Sequence, residues 1–456
     1  MTTTRAMLNG ALLACLTTAA ARAQSSSRPA LRAPLRPLAA PPAYARENPD
    51  ARSYALVGGV WWDGARFAPR TFYAVRGLLQ SARPARVDSM IDLVGLYVIP
   101  PFGDAHSHNL SFARARMDSV RDAYLREGSF YVQVLGNSAS RLAAIRDRYN
   151  TPCALDVVAA NGILTPTDGH GIEVAEALAL GFRDPWAAIY GPSADSVRHS
   201  RLADGDPYWR LDSVADVAAK WPRILAAHPD LIKITIIGSP DADGRAPTWP
   251  ARMWFMRGLG EPVVREVVTR AHAAGLRVAA HVETARDFEV AVRDGVDVIA
   301  HMLGPDFRPG EARAYRIDDG VMQLAAERGV VVVPTVAVTL DVTAGDPERL
   351  ARAQDAQRDN LRRLVQHGVR IAVGRDEVWH TAREEFDALH GLGVLDPRAL
   401  LTAWTETPRT IFPGRRIARL ADGYEASFLA LRRDPLADLD AVGDVALRVK
   451  QGCVLQ

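Results

Sequence analysis

Short, almost wholly apolar runs recur through the middle of the chain, near residues 102–108, 129–135, 155–162, 231–237, 276–281, 297–301, 330–335 and 369–375. Each is too short for a stable helix and shows none of the strict alternation of a half-exposed strand. Such runs predict strands buried on both faces, the habit of a parallel sheet. Between them, apolar positions return every three or four residues. Glu261 to Ala274 carries Val263, Val264, Val267, Val268, Ala271 and Ala274 at that spacing, and Gly275 supplies a C-terminal stop. Eight strands alternating with helices predict an α/β chain folded as a (β/α)8 TIM barrel.

The two ends read differently. Tyr54-Ala-Leu-Val-Gly-Gly-Val-Trp61, Thr71-Phe-Tyr-Ala-Val75 and Leu93–Ile99 are short strands broken by Gly and Pro. Ala426-Ser-Phe-Leu-Ala-Leu431 and Val445-Ala-Leu-Arg-Val449 repeat the pattern near the C-terminus. They predict a small β-sandwich built from residues 53–100 and 420–456, flanking a barrel over 101–419. Before it, Arg5, the small apolar stretch Ala6–Ala20 and Ala21-Arg-Ala23 fit a signal peptide over 1–23. A Ser/Pro/Ala/Arg-rich stretch, 24–52, then reads as a flexible leader. The chain is therefore expected to be exported, periplasmic or secreted, with lipoprotein anchoring at Cys15 the lesser alternative. No later run reaches the 18 apolar residues of an integral membrane span. Cys153 and Cys453 would remain after cleavage; a disulfide between them stays open, and neither belongs to a metal-type Cys-x-x-Cys cluster.

With 48% hydrophobic residues the chain has material for a sizeable core, and a formal net charge of +2 gives no reason to expect a nucleic-acid or polyanionic partner. A small-molecule substrate held in a pocket is the expectation. The sequence leaves open whether the chain forms a homo-oligomer.

Six polar residues end these apolar runs: His106, His108, Lys233, His281, His301 and Asp376. Alternate residues of a strand share a face, so His106 and His108 point the same way. A His-x-His triplet alone is weak. Its context strengthens it, because strand C-termini of a barrel open into one shared mouth, where residues distant in sequence converge. Neutral imidazoles with a carboxylate suit zinc or a similar divalent ion.

These residues carry a resemblance. Ile99-Pro-Pro-Phe-Gly-Asp-Ala-His-Ser-His108, Asp168-Gly-His-Gly171, Ile232-Lys-Ile234, Ala280-His281, Ala300-His301, Gly374-Arg-Asp376 and Leu420-Ala-Asp-Gly-Tyr-Glu-Ala-Ser-Phe-Leu429 together resemble the metal-dependent amidohydrolase superfamily. The branch resembled includes imidazolonepropionase-like enzymes and bacterial Xaa-Pro and Xaa-Arg dipeptidases. The resemblance implies two divalent metal ions. His106, His108 and Asp376 would hold one, His281 and His301 the other, and a carbamate on Lys233 would bridge them. It further implies that Asp376 orients and deprotonates water and that His170 contacts the substrate carbonyl. His380, four residues beyond Asp376, is a weaker substrate-binding candidate.

The implied activity is hydrolysis of an amide in a small molecule: a dipeptide, an N-acyl amino acid or a cyclic amide. A lactone or ester hydrolase with the same site, and a non-catalytic exported binding protein on the same fold, are the alternatives. Arg375 and Pro100-Pro-Phe102 depart from the family pattern. By alternation Arg375 should face away from the metals, towards Glu283 or Glu377. His199, His228, His272, His367 and His390 read as surface or packing residues. Insertions near 167–230 and 238–260 carry Trp186, Tyr190, Tyr208, Trp209, Trp221, Trp249, Trp254 and Phe255, open to pocket-lining, loop-packing or interface roles.

Overall fold

The computed structural model describes residues 35–111, 114–241, 244–303, 312–378 and 380–455. Leu35 to Gln456 form one compact unit. The signal peptide expected over 1–23 and Cys15 lie outside the described residues.

Eight parallel strands form the barrel. In chain order they are Phe102–Ser107, Ser129–Val134, Asp156–Ala159, Ile232–Ile236, Val278–Val282, Val298–Ala300, Val331–Val333 and Arg370–Ile371. The third is interrupted at Asn161-Gly162 and resumes as Ile163–Thr165, which pairs with the fourth. Asn161 and Gly162 both take positive φ, at 53° and 112°, a bend that an apolar-run reading cannot detect.

The ring closes where Ala105 N donates to Val373 O at 2.9 Å. That closure depends on Gly374. A Cβ there would meet His106 N at 2.4 Å, so only glycine lets the eighth strand's extension run so close to the first.

Helices cover the barrel as the periodicity predicts. Val263, Val264, Val267, Val268 and Ala271 of helix Glu261–Ala273 are buried, while Ala274 lies just beyond the helix and is exposed. On the last helix, Pro397–Ile411, Trp404 stacks on Phe102 with centroids 3.7 Å apart and donates Nε1–H to Gly103 O. Large aromatic area and one satisfied polar atom thus fix the first strand.

The end segments form two further sheets. Tyr54–Val57, Phe72–Val75, Leu78–Gln80 and Ser89–Asp92 make one of four strands; a six-stranded sheet joins Val60–Trp62, Phe67–Pro69 and Tyr97–Ile99 to Phe428–Leu431, Val445–Lys450 and Cys453–Leu455. Leu56, Trp61, Phe72, Val98, Phe428 and Val449 share one core there. Ile99, Leu429, Leu431 and Val445 belong instead to the core of the barrel, so the two parts share packing.

The end of the expected leader is pinned, not flexible. Tyr44 N donates to Gly414 O and Arg416 N donates to Tyr44 O, Arg46 N donates to Glu425, and the buried Asn48 side chain donates to Gln451 O. Cys153 and Cys453 are joined by a disulfide across 300 residues, with Cα atoms 5.6 Å apart. Beside it lies a fully buried charge cluster: Arg415 pairs with Asp156 and Glu425, and Lys450 Nζ reaches Asp156 at 3.0 Å.

Candidate metal centre

The C-terminal ends of the first, fifth and sixth strands and the extension of the eighth bring four histidines around one aspartate. His106 Nε2 lies 3.0 Å and His108 Nε2 2.8 Å from Asp376 Oδ1, and His301 Nδ1 lies 3.4 Å from Oδ2. His106, His108 and Asp376 offer ligand atoms that all lie within 4.8 Å of one another. The rings of His106 and His301 are 4.9 Å apart, and those of His281 and His301 4.3 Å. Strand register produces this directly, since Thr235 lies opposite His281 and His281 opposite Ala300, one residue before His301.

Three of the four rings have a hydrogen-bond partner of their own. His108 Nδ1 bonds Gly136 O at 3.1 Å, leaving Nε2 towards Asp376. His281 Nε2 bonds Glu283 Oε1 at 2.8 Å, and His301 Nδ1 meets Thr335 Oγ1 at 2.8 Å. Partners of this kind fix the tautomer of a ligating histidine. His301 leaves its strand at a φ of 82° and Thr335 sits at 48°, conformations that side chains with a Cβ rarely adopt. Backbone bonding of His301 N to Val333 O holds the turn.

Burial governs the electrostatics. It pushes His106 down to about 4, against the pull of Asp376, and drives His281 and His301 well below the ordinary imidazole range. Lowering of this kind favours the neutral form of His106, His281 and His301, the form in which imidazole binds metal. Burial alone would raise Asp376, but His106 and His301 outweigh it and hold the carboxyl well below its usual range. Lys233, only 3% exposed, is lowered to about 8 by burial, opposed by Asp376. Its Nζ has no hydrogen-bond partner among the described residues, nor has His106 Nδ1. An orphaned buried amine facing histidines and a carboxylate fits a group that binds it covalently or ionically.

His170 also reaches the cluster, its ring 4.3 Å from that of His281. Glu173, wholly buried, lies 3.2 Å from His170 Nδ1 and accepts from Gly171 N, while His170 N bonds Arg257 O. His380 behaves otherwise. Its ring pairs with Glu384 Oε1 at 2.5 Å, its side chain is 44% exposed, and it lines a separate hollow with Tyr124 and Thr381.

Arg375 turns away from the centre, as alternation requires, but its partners are Asp341 at 2.6 Å and Glu384 at 3.1 Å rather than Glu283 or Glu377. Both acids lie on helices packed outside the mouth. Glu283 instead supports His281. The i, i+2 spacing His281-Val-Glu283 carried that signal, since both side chains share a strand face. Nothing in the sequence pointed to Thr335, in the turn after the seventh strand, or to Glu173, in the first turn of helix Ile172–Ala179.

Of the insertion aromatics, Tyr208 and Trp209 form a short strand, Tyr208–Arg210, paired with Ile163–Thr165. Trp221 is buried in helix Val214–Ala226, so these three are packing residues. His272 bonds Asp297 and His367 bonds Asp319, both away from the four clustered histidines.

The chain thus forms a closed barrel with histidines and an aspartate at its C-terminal mouth. Residues 248–454 match the family model described as the amidohydrolase family. No curated protein matches the chain in sequence.

Among solved structures, a Xaa-Pro dipeptidase with bound methionine in its active site is similar at 20% identity and a TM-score of 0.66, over 89% of this chain and 100% of that one. A. niger ochratoxinase is similar at 19% identity and a TM-score of 0.67, covering 89% and 95%. Molinate hydrolase is similar at 17% identity and 0.67, covering 89% and 95%.

Proposed function

We propose that the chain is a binuclear metal-dependent amidohydrolase that cleaves an amide in a small molecule such as a dipeptide, an N-acyl amino acid or a cyclic amide. The observation that carries this reading is the convergence of His106, His108, His281 and His301 on Asp376, beside the orphaned Lys233 amine. His106, His108 and Asp376 would hold one divalent ion, zinc by donor type, and His281 and His301 a second. Lys233, nearer neutrality than an exposed lysine, is suited to carry a carbamate between them. When bound, the ions would supply a Lewis-acid surface and lower the pKa of water.

The chain's own residues do the rest. Asp376 accepts the proton of the attacking water on one oxygen and passes it to the leaving nitrogen. His170, steadied by Glu173, donates to the carbonyl oxygen as charge develops there. Glu283 keeps His281 in one tautomer.

Support for export comes from the N-terminal pattern and from the Cys153–Cys453 disulfide, a bond that persists in oxidising compartments. Among the described residues no helix is long and apolar enough to cross a membrane. The domain bounds proposed are 53–100 with 420–456 for the sheets and 101–419 for the barrel.

Turnover of the metal-replete protein against dipeptides, N-acyl amino acids and lactones tests the reading. Amide cleavage that disappears together with bound metal in His106→Ala is the expected result. Cleavage of lactones alone would move the assignment to esters, and full amide turnover in metal-free protein would overturn it.

A further inference from the structure

A chain of aromatic rings leads from the metal centre to the surface. His170 stands 4.3 Å from His281 on one side and 6.3 Å from Phe255 on the other. Phe255, 3% exposed, in turn meets Trp186 at 6.3 Å and Tyr190 at 6.2 Å. Trp186 and Tyr190 belong to the short helix Pro185–Tyr190, four positions apart and therefore on one face. Their planes are within 17° of parallel at a centroid separation of 6.0 Å. The helix buries Ala188 and Ile189 and leaves Trp186 48% and Tyr190 50% exposed. Aliphatic Ala188 and Ile189 thus go inward and the two large rings stay half in solvent.

We propose that Trp186, Tyr190 and Phe255 form an apolar subsite that takes an aromatic or other flat apolar substituent of the substrate, just beyond the carbonyl that His170 contacts. The proposal rests on the amide-hydrolase reading and names its substrate class. Its occupant is argued from continuity, because Phe255 touches both the catalytic-side ring of His170 and the exposed pair.

Size points the same way. The uncovered parts of two such rings amount to roughly 200 Å², against about 800 Å² that each partner buries in a stable protein interface. Leu178, Leu180 and Leu202 are exposed on the same insertion, so a second copy of the chain is the rival occupant.

The test compares N-benzoylglycine with N-acetylglycine on the metal-replete enzyme, by kcat/KM and by calorimetric binding. Wild type should prefer the benzoyl compound, and Trp186→Ala/Tyr190→Ala should reduce that preference about tenfold, as loss of one good apolar contact does. Trp186→Phe should retain most of it. Equal affinities in wild type, or a preference unaltered in the double variant, overturns the subsite. A dimer that becomes monomeric in the double variant with its preference intact gives the surface to a second copy and also overturns it. Preferential benzoyl binding without turnover of either compound supports the subsite and counts against the hydrolase reading alone.

Discussion

Lys233 is surrounded by groups that make a charged ammonium costly. Burial lowers it to about 8, and Asp376 only partly restores it. Carbon dioxide adds to the neutral amine, which such a site populates near neutral pH far more than an exposed lysine does. Lys233→Ala should therefore lose most turnover and part of its metal, with partial rescue by a short carboxylic acid in solution; full activity at unchanged metal content would remove the bridge.

Residues in regular strands were legible in this way. His106 and His108 share a face by alternation, and Lys233, His281 and His301 end recognisable apolar runs. Thr335 was not legible, because its position comes from a left-handed turn, and Phe255 was legible only as one of several insertion aromatics, because its place is set by a loop after the 3-10 turn Ala251–Met253. The partners of Arg375 were missed for a similar reason: they sit on helices whose approach the sequence does not encode locally.

At the scale of elements, the strand count and the sheet-forming ends could be read from pattern, whereas breaks and anchors could not. The third strand's kink at Asn161-Gly162 ends an apolar run at two positive-φ residues, a bend set by backbone conformation rather than by the hydrophobic pattern. The leader's last residues looked structureless because their order comes from a backbone bond of Tyr44 to Gly414 and a side-chain bond of Asn48 to Gln451, the latter 403 residues away.

Glu385 is another such anchor. From helix Ala382–Leu392 it accepts from Val336 N at 3.0 Å and Ala337 N at 2.8 Å, capping the start of helix Ala337–Val342. Burial raises its carboxyl to about 8 from an ordinary 4.5, despite those bonds. A raised carboxyl contributes stability that is complete below the unfolded value and is lost as pH rises through the folded one. Stability should thus fall between about pH 5 and pH 8, by at most about 1.4 kcal/mol per pH unit from this group. Asp104, also raised to about 8 by burial, acts in the same direction. Denaturant unfolding of Glu385→Gln should show a shallower decline over that range; an unchanged slope would mean the carboxyl titrates normally.

For the whole molecule, the centre exists because the chain's distant parts are locked together. Gly374 admits the eighth strand's extension against His106, which places Asp376 between histidines of the first and sixth strands. On the sheet side, the Cys153–Cys453 disulfide and the Arg415, Asp156, Glu425 and Lys450 cluster fasten the C-terminal strands to the third barrel strand. Breaking one partner of such a buried group is costly, since it strands the others without water. None of that locking was visible locally, although the residues it brings together were.

Anomalous diffraction from zinc-loaded crystals tests the account most directly. The prediction is two peaks in the barrel mouth, one among His106, His108 and Asp376 and one beside His281 and His301, with continuous density from Lys233 Nζ between them. Zinc absent from that mouth, or bound only elsewhere on the protein, would contradict it.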